Sequence, residues 1–288
     1  MISVVCLSPA IDVTYRVEKV VLGESNRVLE VQKRPGGKGV NVARVLQQLG
    51  ASPRLHIPLG GANGAWIISE LQKLGVETQV VPIAAETRSA LAVVSEEVTV
   101  FNEPAAAISE AELASLEGDL ERSEVMIVSG SIPSSISPER FGEFLALCKT
   151  KTDQLIVDTS GEYLITAAKD ATYLKPNAWE LLQATGLPLN EAVEKIRKHG
   201  AKVILSLGED GVELHSDEVI SAKAQAQVGN PTGAGDAMVA GFAYKLNVSE
   251  KTALEFGCAL SAASVRSEVA GEFDQDDLTE IRNQMGAN

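Results

Sequence analysis

Two glycine-rich segments hold the residues best placed to do chemistry. The first, Asn230-Pro231-Thr232-Gly233-Ala234-Gly235-Asp236, follows an extended run and opens a helix expected over 237–246. The amides of Gly233, Ala234 and Gly235 would point outward from that helix N-terminus, where the macrodipole favours negative charge. They would form an anion hole for a phosphate whose charge grows during transfer. Asp236, in the first turn, is expected to be helped to stay ionised by the same dipole. It suits taking a proton from a hydroxyl that attacks phosphorus. The plain alternative is an N-terminal carboxylate that stabilises its own helix by ~0.3–1 kcal/mol.

The second segment, Gly36-Gly37-Lys38-Gly39-Val40-Asn41, precedes a helix expected over 42–49. Its glycines remove Cβ where another molecule could approach the backbone, and Lys38 supplies a cation. Lys33, Arg34, Lys38 and Arg44 make a local anion-attracting patch. A tight strand-to-helix turn needing positive φ would use the same glycines. Neither segment is a dinucleotide fingerprint or a P-loop, because G-x-G-x-x-G after the first strand and G-x-x-x-x-G-K-[ST] are both missing. His56, His199 and His215 lie far apart, which gives a zinc triad no support. Cys6, Cys148 and Cys258 form no C-x-x-C and sit in apolar runs, so buried thiols in a reducing compartment are expected.

Short β-branched runs that could position these residues alternate with helical spacing. Residues 2–6, 54–59, 125–129, 155–158, 173–175 and 203–206 read as buried strands, with helices over 40–49, 66–74, 141–149, 179–185 and 191–198 between them. Ser109 to Glu112 has the form of a capping box, and Ser137-Pro138 offers an N-cap followed by proline. This alternation predicts a mostly parallel sheet covered by helices on both faces. Residues 13–20, 28–33, 89–94 and 98–101 alternate apolar and polar side chains. They are expected to form a small, half-exposed antiparallel sheet standing off the main body, able to close over a site or, in the plainer reading, merely to mediate dimer contact.

The 288 residues allow one large domain or two small ones. A hydrophobic content of 45% with 22% charged residues excludes whole-chain disorder. Twenty-five basic against 39 acidic residues leave a net charge of −14, so nucleic acid is not the expected partner. No apolar window reaches about 18 residues and no signal peptide opens the chain, so no membrane span is expected and the cytoplasm is the expected location.

Residues 36–50 and 231–242, taken together and in this order, resemble the two signature segments of the ribokinase-like (PfkB) carbohydrate kinase family. The resemblance extends to Ser129-Gly130-Ser131-Ile132-Pro133, Lys175-Pro176-Asn177-Ala178-Trp179-Glu180 and Ser206-Leu207-Gly208-Glu209-Asp210-Gly211. Leu7-Ser8-Pro9-Ala10-Ile11-Asp12 and Thr87-Arg88 resemble its phosphosugar branch.

The resemblance implies a three-layer α/β/α core over 1–12, 34–86 and 103–288, with a β-sheet lid over 13–33 and 87–102 that pairs two copies as a homodimer. It implies ATP and Mg²⁺, with transfer of the γ-phosphoryl to a ketohexose phosphate. Fructose 1-phosphate is the first choice, and tagatose 6-phosphate or fructose 6-phosphate are alternatives. A free-sugar or nucleoside kinase, or a non-catalytic sugar-binding regulator, is a weaker reading.

By the same resemblance, Asp236 is the catalytic base and Gly233, Ala234 and Gly235 the anion hole. Asp12, Gly37, Lys38, Asn41 and Ser131 contact the sugar, and Arg88 its phosphate. Lys175, Asn177, Ser206, Leu207, Gly208, Gly211, Thr232, Gly233, Gly235, Cys258 and Ala262 belong to the nucleotide side. Asn177 and Glu180 organise the metal, largely through water. Two departures bear on substrate choice: Ser8 stands where many phosphosugar relatives carry Asn, and Ser25-Asn26-Arg27 lies where the minor 6-phosphofructokinase places a lysine.

Overall fold

The β-branched runs become the core strands of a large sheet in a computed structural model of the protein, which describes residues 1–267 and 269–286. Glu268 and the last two residues of the expected 103–288 core segment lie outside the described residues. In chain order the first half comprises β1 (Ile2–Val5), β2 (Ala10–Val17), β3 (Val28–Gly36), α1 (Lys38–Gln48), β4 (Arg54–Leu59), α2 (Gly61–Lys73), β5 (Glu77–Pro82), β6 (Arg88–Val94), β7 (Val98–Asn102) and α3 (Glu110–Asp119). It continues with β8 (Ser123–Ser129), α4 (Pro138–Thr150), β9 (Thr152–Asp158), α5 (Glu162–Ala167), β10 (Tyr173–Leu174), α6 (Ala178–Thr185) and α7 (Leu189–Arg197). The last third holds β11 (Lys202–Ser206), β12 (Val212–His215), β13 (Val219–Ala222), α8 (Ala234–Lys245), α9 (Glu250–Arg266) and α10 (Gln275–Gln284).

Nine strands form the main sheet in the order β13-β12-β11-β10-β9-β8-β1-β4-β5. All neighbours are parallel except β11–β12 and β12–β13. One face packs on α1, α2, α8, α9 and α10, the other on α3 to α7, giving the expected three layers. Each strand must therefore be apolar on both faces, and Val4, Val5, Ile127, Val128, Ile156 and Val157 are all buried. The capping box at Ser109 and the Ser137 cap form as expected. All three cysteines are free and buried. No described helix is long and apolar enough to cross a membrane.

A separate four-stranded sheet, β3-β2-β6-β7, is the smaller sheet expected to serve as a lid. Its strands run from Ala10 and to Gly36, beyond the 13–33 limits expected. Ala10, Ile11 and Gly36 are buried, so the polar alternation used to find the lid fades there. The lid is also mixed rather than antiparallel, because β2 and β6 enter it in the same direction after excursions through the core and pair in parallel. Helix α8 starts at Ala234, three residues before the expected 237.

Candidate active site

In open α/β sheets, ligands gather at the carboxyl ends of parallel strands. Here Asp158 ends β9, Gly130 and Ser131 follow β8, Lys175 follows β10, and Ser206 ends β11. Asp236 enters the same region as the third residue of α8 and is only 5% exposed. Asn41 Nδ2 donates to its Oδ2 at 2.8 Å. Burial pushes the Asp236 carboxyl up to about 7; Asp158 pushes the same way, while Lys38, Asn41 and Lys175 oppose. Desolvation of the buried carboxylate thus outweighs the ~0.3–1 kcal/mol of help expected from the helix terminus.

At the same terminus, Gly233 adopts φ 84°. A Cβ there would also meet Ala270 Cα and Gly271 N at 3.1 Å, so this position favours glycine. The Ala234 amide donates to the Pro231 carbonyl at 3.1 Å and is therefore taken up within the turn. The amides of Gly233 and Gly235 remain for an anion, and Lys175 Nζ lies 3.4 Å from where a Gly235 Cβ would be. Thr232 is exposed, its amide held by Asn230 Oδ1 at 3.0 Å.

Asp158 is a candidate site residue that sequence reasoning missed. It is fully buried, with Lys38 Nζ at 3.2 Å and Lys175 Nζ at 3.6 Å from its Oδ1. Its Oδ2 is buried with no hydrogen-bond partner. The available signal was a lone acid closing the apolar run Leu155-Ile156-Val157. Lys38 also lies 3.6 Å from Glu180. Assigned by the resemblance to the sugar loop, Lys38 thus stands between Asp158 and Glu180. These carboxylates, Asp158 foremost, raise its amine well above the usual range.

Asn177 and Glu180 cap α6 reciprocally. Glu180 N donates to Asn177 Oδ1 at 2.7 Å, and Asn177 N to Glu180 Oε2 at 2.9 Å. Among the described residues, no group of three or more His, Cys, Asp or Glu could cage a metal ion unaided. Asn177 also bridges to Ser206, whose amide donates to the Pro176 carbonyl at 3.1 Å. The loop continues through Leu207, whose amide bonds to Gly211 O at 2.9 Å, and through Gly208 and Gly211, both at positive φ. Cys258 is buried on α9, its thiol pushed up by burial, and Ala262 is half-buried four residues on.

On the side that the resemblance assigns to the sugar, burial pushes Asp12 on β2 up to about 6, with Arg88 and then Arg44 opposing. A Cβ on Gly36 would come within 2.0 Å of Asp12 Cγ. One on Gly37 would reach Ser8 O at 2.9 Å, and one on Gly39 would reach Cys6 Cβ at 2.6 Å. The glycines of this loop therefore admit other parts of the chain itself, beyond any role in admitting a ligand. Arg88 donates through Nη1 to Glu103 O at 3.1 Å and through Nη2 to Ser8 O at 3.5 Å. Ser131 is exposed beside Gly130, whose amide holds the Asp158 carbonyl at 2.9 Å.

Next to Asp12, between the small sheet and residues 229–232, 266, 267, 269 and 270, lies a cavity of about 520 Å³. Arg16, Arg34, Arg44 and Arg266 are on its walls. The site thus combines free amides, two lysines, a buried carboxylate near neutral pKa and an arginine-bearing cavity. Such a set can bind phosphates and deprotonate an alcohol.

The family model of the pfkB family carbohydrate kinases matches residues 1–277, and the chain belongs to this family. It is a sugar kinase, a phosphotransferase with an alcohol group as acceptor. It is 30% identical over 299 residues to a 1-phosphofructokinase of Vibrio cholerae serotype O1, an alignment covering 98% of this chain and 94% of that protein. The crystal structure of Escherichia coli phosphofructokinase-2 in complex with fructose-6-phosphate is similar, with a TM-score of 0.89, 28% identity and 99% of both chains covered. Thermotoga maritima ribokinase shares the fold, with a TM-score of 0.80, 24% identity and coverage of 98% of this chain and 99% of that one.

Proposed function

We propose that this kinase transfers the γ-phosphoryl of ATP to a free hydroxyl of a ketohexose phosphate, with fructose 1-phosphate as the first substrate to test. Tagatose 6-phosphate and fructose 6-phosphate are the alternatives. The observation that carries the reading is Asp236, buried at the amide terminus of α8, bonded to Asn41 and flanked by the charges of Lys38 and Lys175. The names of its phosphofructokinase relatives and the arginines beside Asp12 support a phosphorylated acceptor.

Phosphoryl transfer needs positioning and charge stabilisation more than covalent chemistry. Asp12 and Asn41 orient the sugar hydroxyls, Ser131 stands at the rim, and Arg88 faces the phosphate already on the sugar. Asp236 takes the proton of the attacking hydroxyl. The Gly233 and Gly235 amides with Lys38 and Lys175 receive the charge that develops on the moving group. The nucleotide lies along Asn177, the Ser206 to Gly211 loop and Thr232, with its base toward Cys258 and Ala262. The unpartnered Asp158 Oδ2 fits a hard cation, so Asp158, with Glu180 and Asn177 through water, would hold Mg²⁺, which when bound neutralises the nucleotide phosphates.

The lid carries exposed apolar side chains, among them Leu29, Val31 and Phe101, and these suit a second copy of the chain. ADP release on fructose 1-phosphate, tagatose 6-phosphate, fructose 6-phosphate, free fructose, ribose and adenosine tests the assignment. Fastest turnover on a ketose phosphate is expected. Turnover confined to unphosphorylated acceptors would overturn the phosphosugar reading.

A further inference from the structure

We infer that Arg34, alongside Arg88, binds the phosphate of the acceptor and so sets the preference for phosphorylated over free sugars; this rests on the phosphosugar reading above. Strands β2 and β3 pair Asp12 directly with Arg34. Directly opposed residues of an antiparallel pair project from the same face of the sheet. That face continues through Thr14 opposite Gln32, and through Ala90 and Ala92 across β6. All of these side chains line the 520 Å³ cavity. A sugar whose hydroxyls rest on Asp12 therefore has Arg34 beside it, and the small side chains of Ala90 and Ala92 leave room for a bulky tetrahedral group.

The charges agree. Arg34 Nη1 lies 3.1 Å and Arg44 Nη2 2.5 Å from the same oxygen, Oε1 of Glu272. Two guanidiniums thus share the Glu272 carboxylate, and Asp12 is the only acid lining the cavity beside Arg16, Arg34, Arg44 and Arg266 among the described residues. Arg44 is buried, 6% exposed, and donates also to the Ala270 carbonyl, which fixes it in place. The Arg34 side chain is 34% exposed. Its Nε and Nη2 donate to no group among the described residues. That pair of adjacent donors matches two phosphate oxygens in a way a lysine cannot. Arg88, in contrast, holds two backbone carbonyls and has a buried Nε without a partner.

Arg34→Ala, Arg34→Lys and Glu272→Gln test the assignment in steady-state kinetics that vary the ketose phosphate and ATP separately. Arg34→Ala should raise the KM for the ketose phosphate on the order of 10- to 100-fold, as expected for loss of charge-assisted hydrogen bonds. It should leave the KM for ATP and the slow turnover of the free ketose unchanged. Arg34→Lys should recover part of the loss. Glu272→Gln frees Arg34 and should keep or lower the ketose-phosphate KM. An unchanged ketose-phosphate KM in Arg34→Ala, or one matched by equal losses on free ketose and ATP, overturns the inference alone. A ketose-phosphate KM in Glu272→Gln raised as far as in Arg34→Ala does the same, since both would then act by holding the 269–272 segment. Wild-type protein inactive on every ketose phosphate would sink the phosphosugar reading, and this inference with it, before any variant is made.

Discussion

The side-chain amide of Asn41 donates a 2.8 Å hydrogen bond to the carboxylate of Asp236, joining residues 195 positions apart in the chain. It locks the first turn of α8 against the first turn of α1, so the two glycine-rich segments form one site. It also leaves the other Asp236 oxygen for an acceptor hydroxyl. Asp236→Asn keeps the shape and loses the base. Its kcat should fall by about 10²- to 10⁴-fold, with ATP affinity retained in calorimetry. A normal kcat would remove Asp236 from that role.

Activity should rise with pH. The base works only when ionised, and burial holds the Asp236 carboxyl at about 7, so it is largely protonated below that value. The profile of kcat/KM is expected to climb with a midpoint near 7. Lys38→Met removes a charge that favours ionisation and should move the midpoint up; Asp158→Asn removes a repelling charge and should move it down. A profile flat from pH 5.5 to 8.5 would contradict this prediction.

The same burial makes Asp236 costly to the fold. Its carboxyl rises from 3.8 to about 7 on folding, so the folded chain binds this proton more tightly than the unfolded one. The group's contribution therefore weakens stability as pH climbs from about 4 to 7, and its full cost is present above that range. Asp236→Asn, though catalytically poor, should be more stable than wild type at pH 8 by roughly 1–3 kcal/mol, and the gain should vanish near pH 4. Denaturant midpoints at the two pH values decide the matter.

Gly36→Ala would place a methyl group within 2.0 Å of the Asp12 side chain. The carboxylate must swing away, so the KM for the sugar should rise more than the KM for ATP. Thermal unfolding should show a loss of about 1–3 kcal/mol from the overpacked contact.

Phe101, at 59% exposure on β7, belongs to the lid surface proposed to meet a second copy. Light scattering should find a dimer for the wild type and a monomer for Phe101→Asp. A wild-type monomer would dismiss the lid interface.

Much of this was legible in the sequence because it is written in local patterns. Alternating β-branched and helical stretches announced the sandwiched sheet, and glycines before helices marked both loops. The Ser109 capping box was visible in four residues. What escaped depends on neighbours distant in sequence. Asp158 looks like any strand-ending acid until Lys38 and Lys175 fold onto it. The raised pKa of Asp236 comes from burial that no local rule reports. The β12–β13 hairpin is too short, at four residues a strand, to announce itself. The parallel pairing of β2 with β6 rests on two excursions through the core.

Strand β3 ends at Gly36 and helix α1 begins at Lys38, so at this crossing Gly37 alone joins the small sheet to the core. Such a coupling has no slack. A tilt of the upper sheet has to be absorbed at that residue on the β3 side, and the same stroke would carry Asp12 and Arg34 past Asn41. Seating the acceptor and shutting out water would then be a single mechanical act.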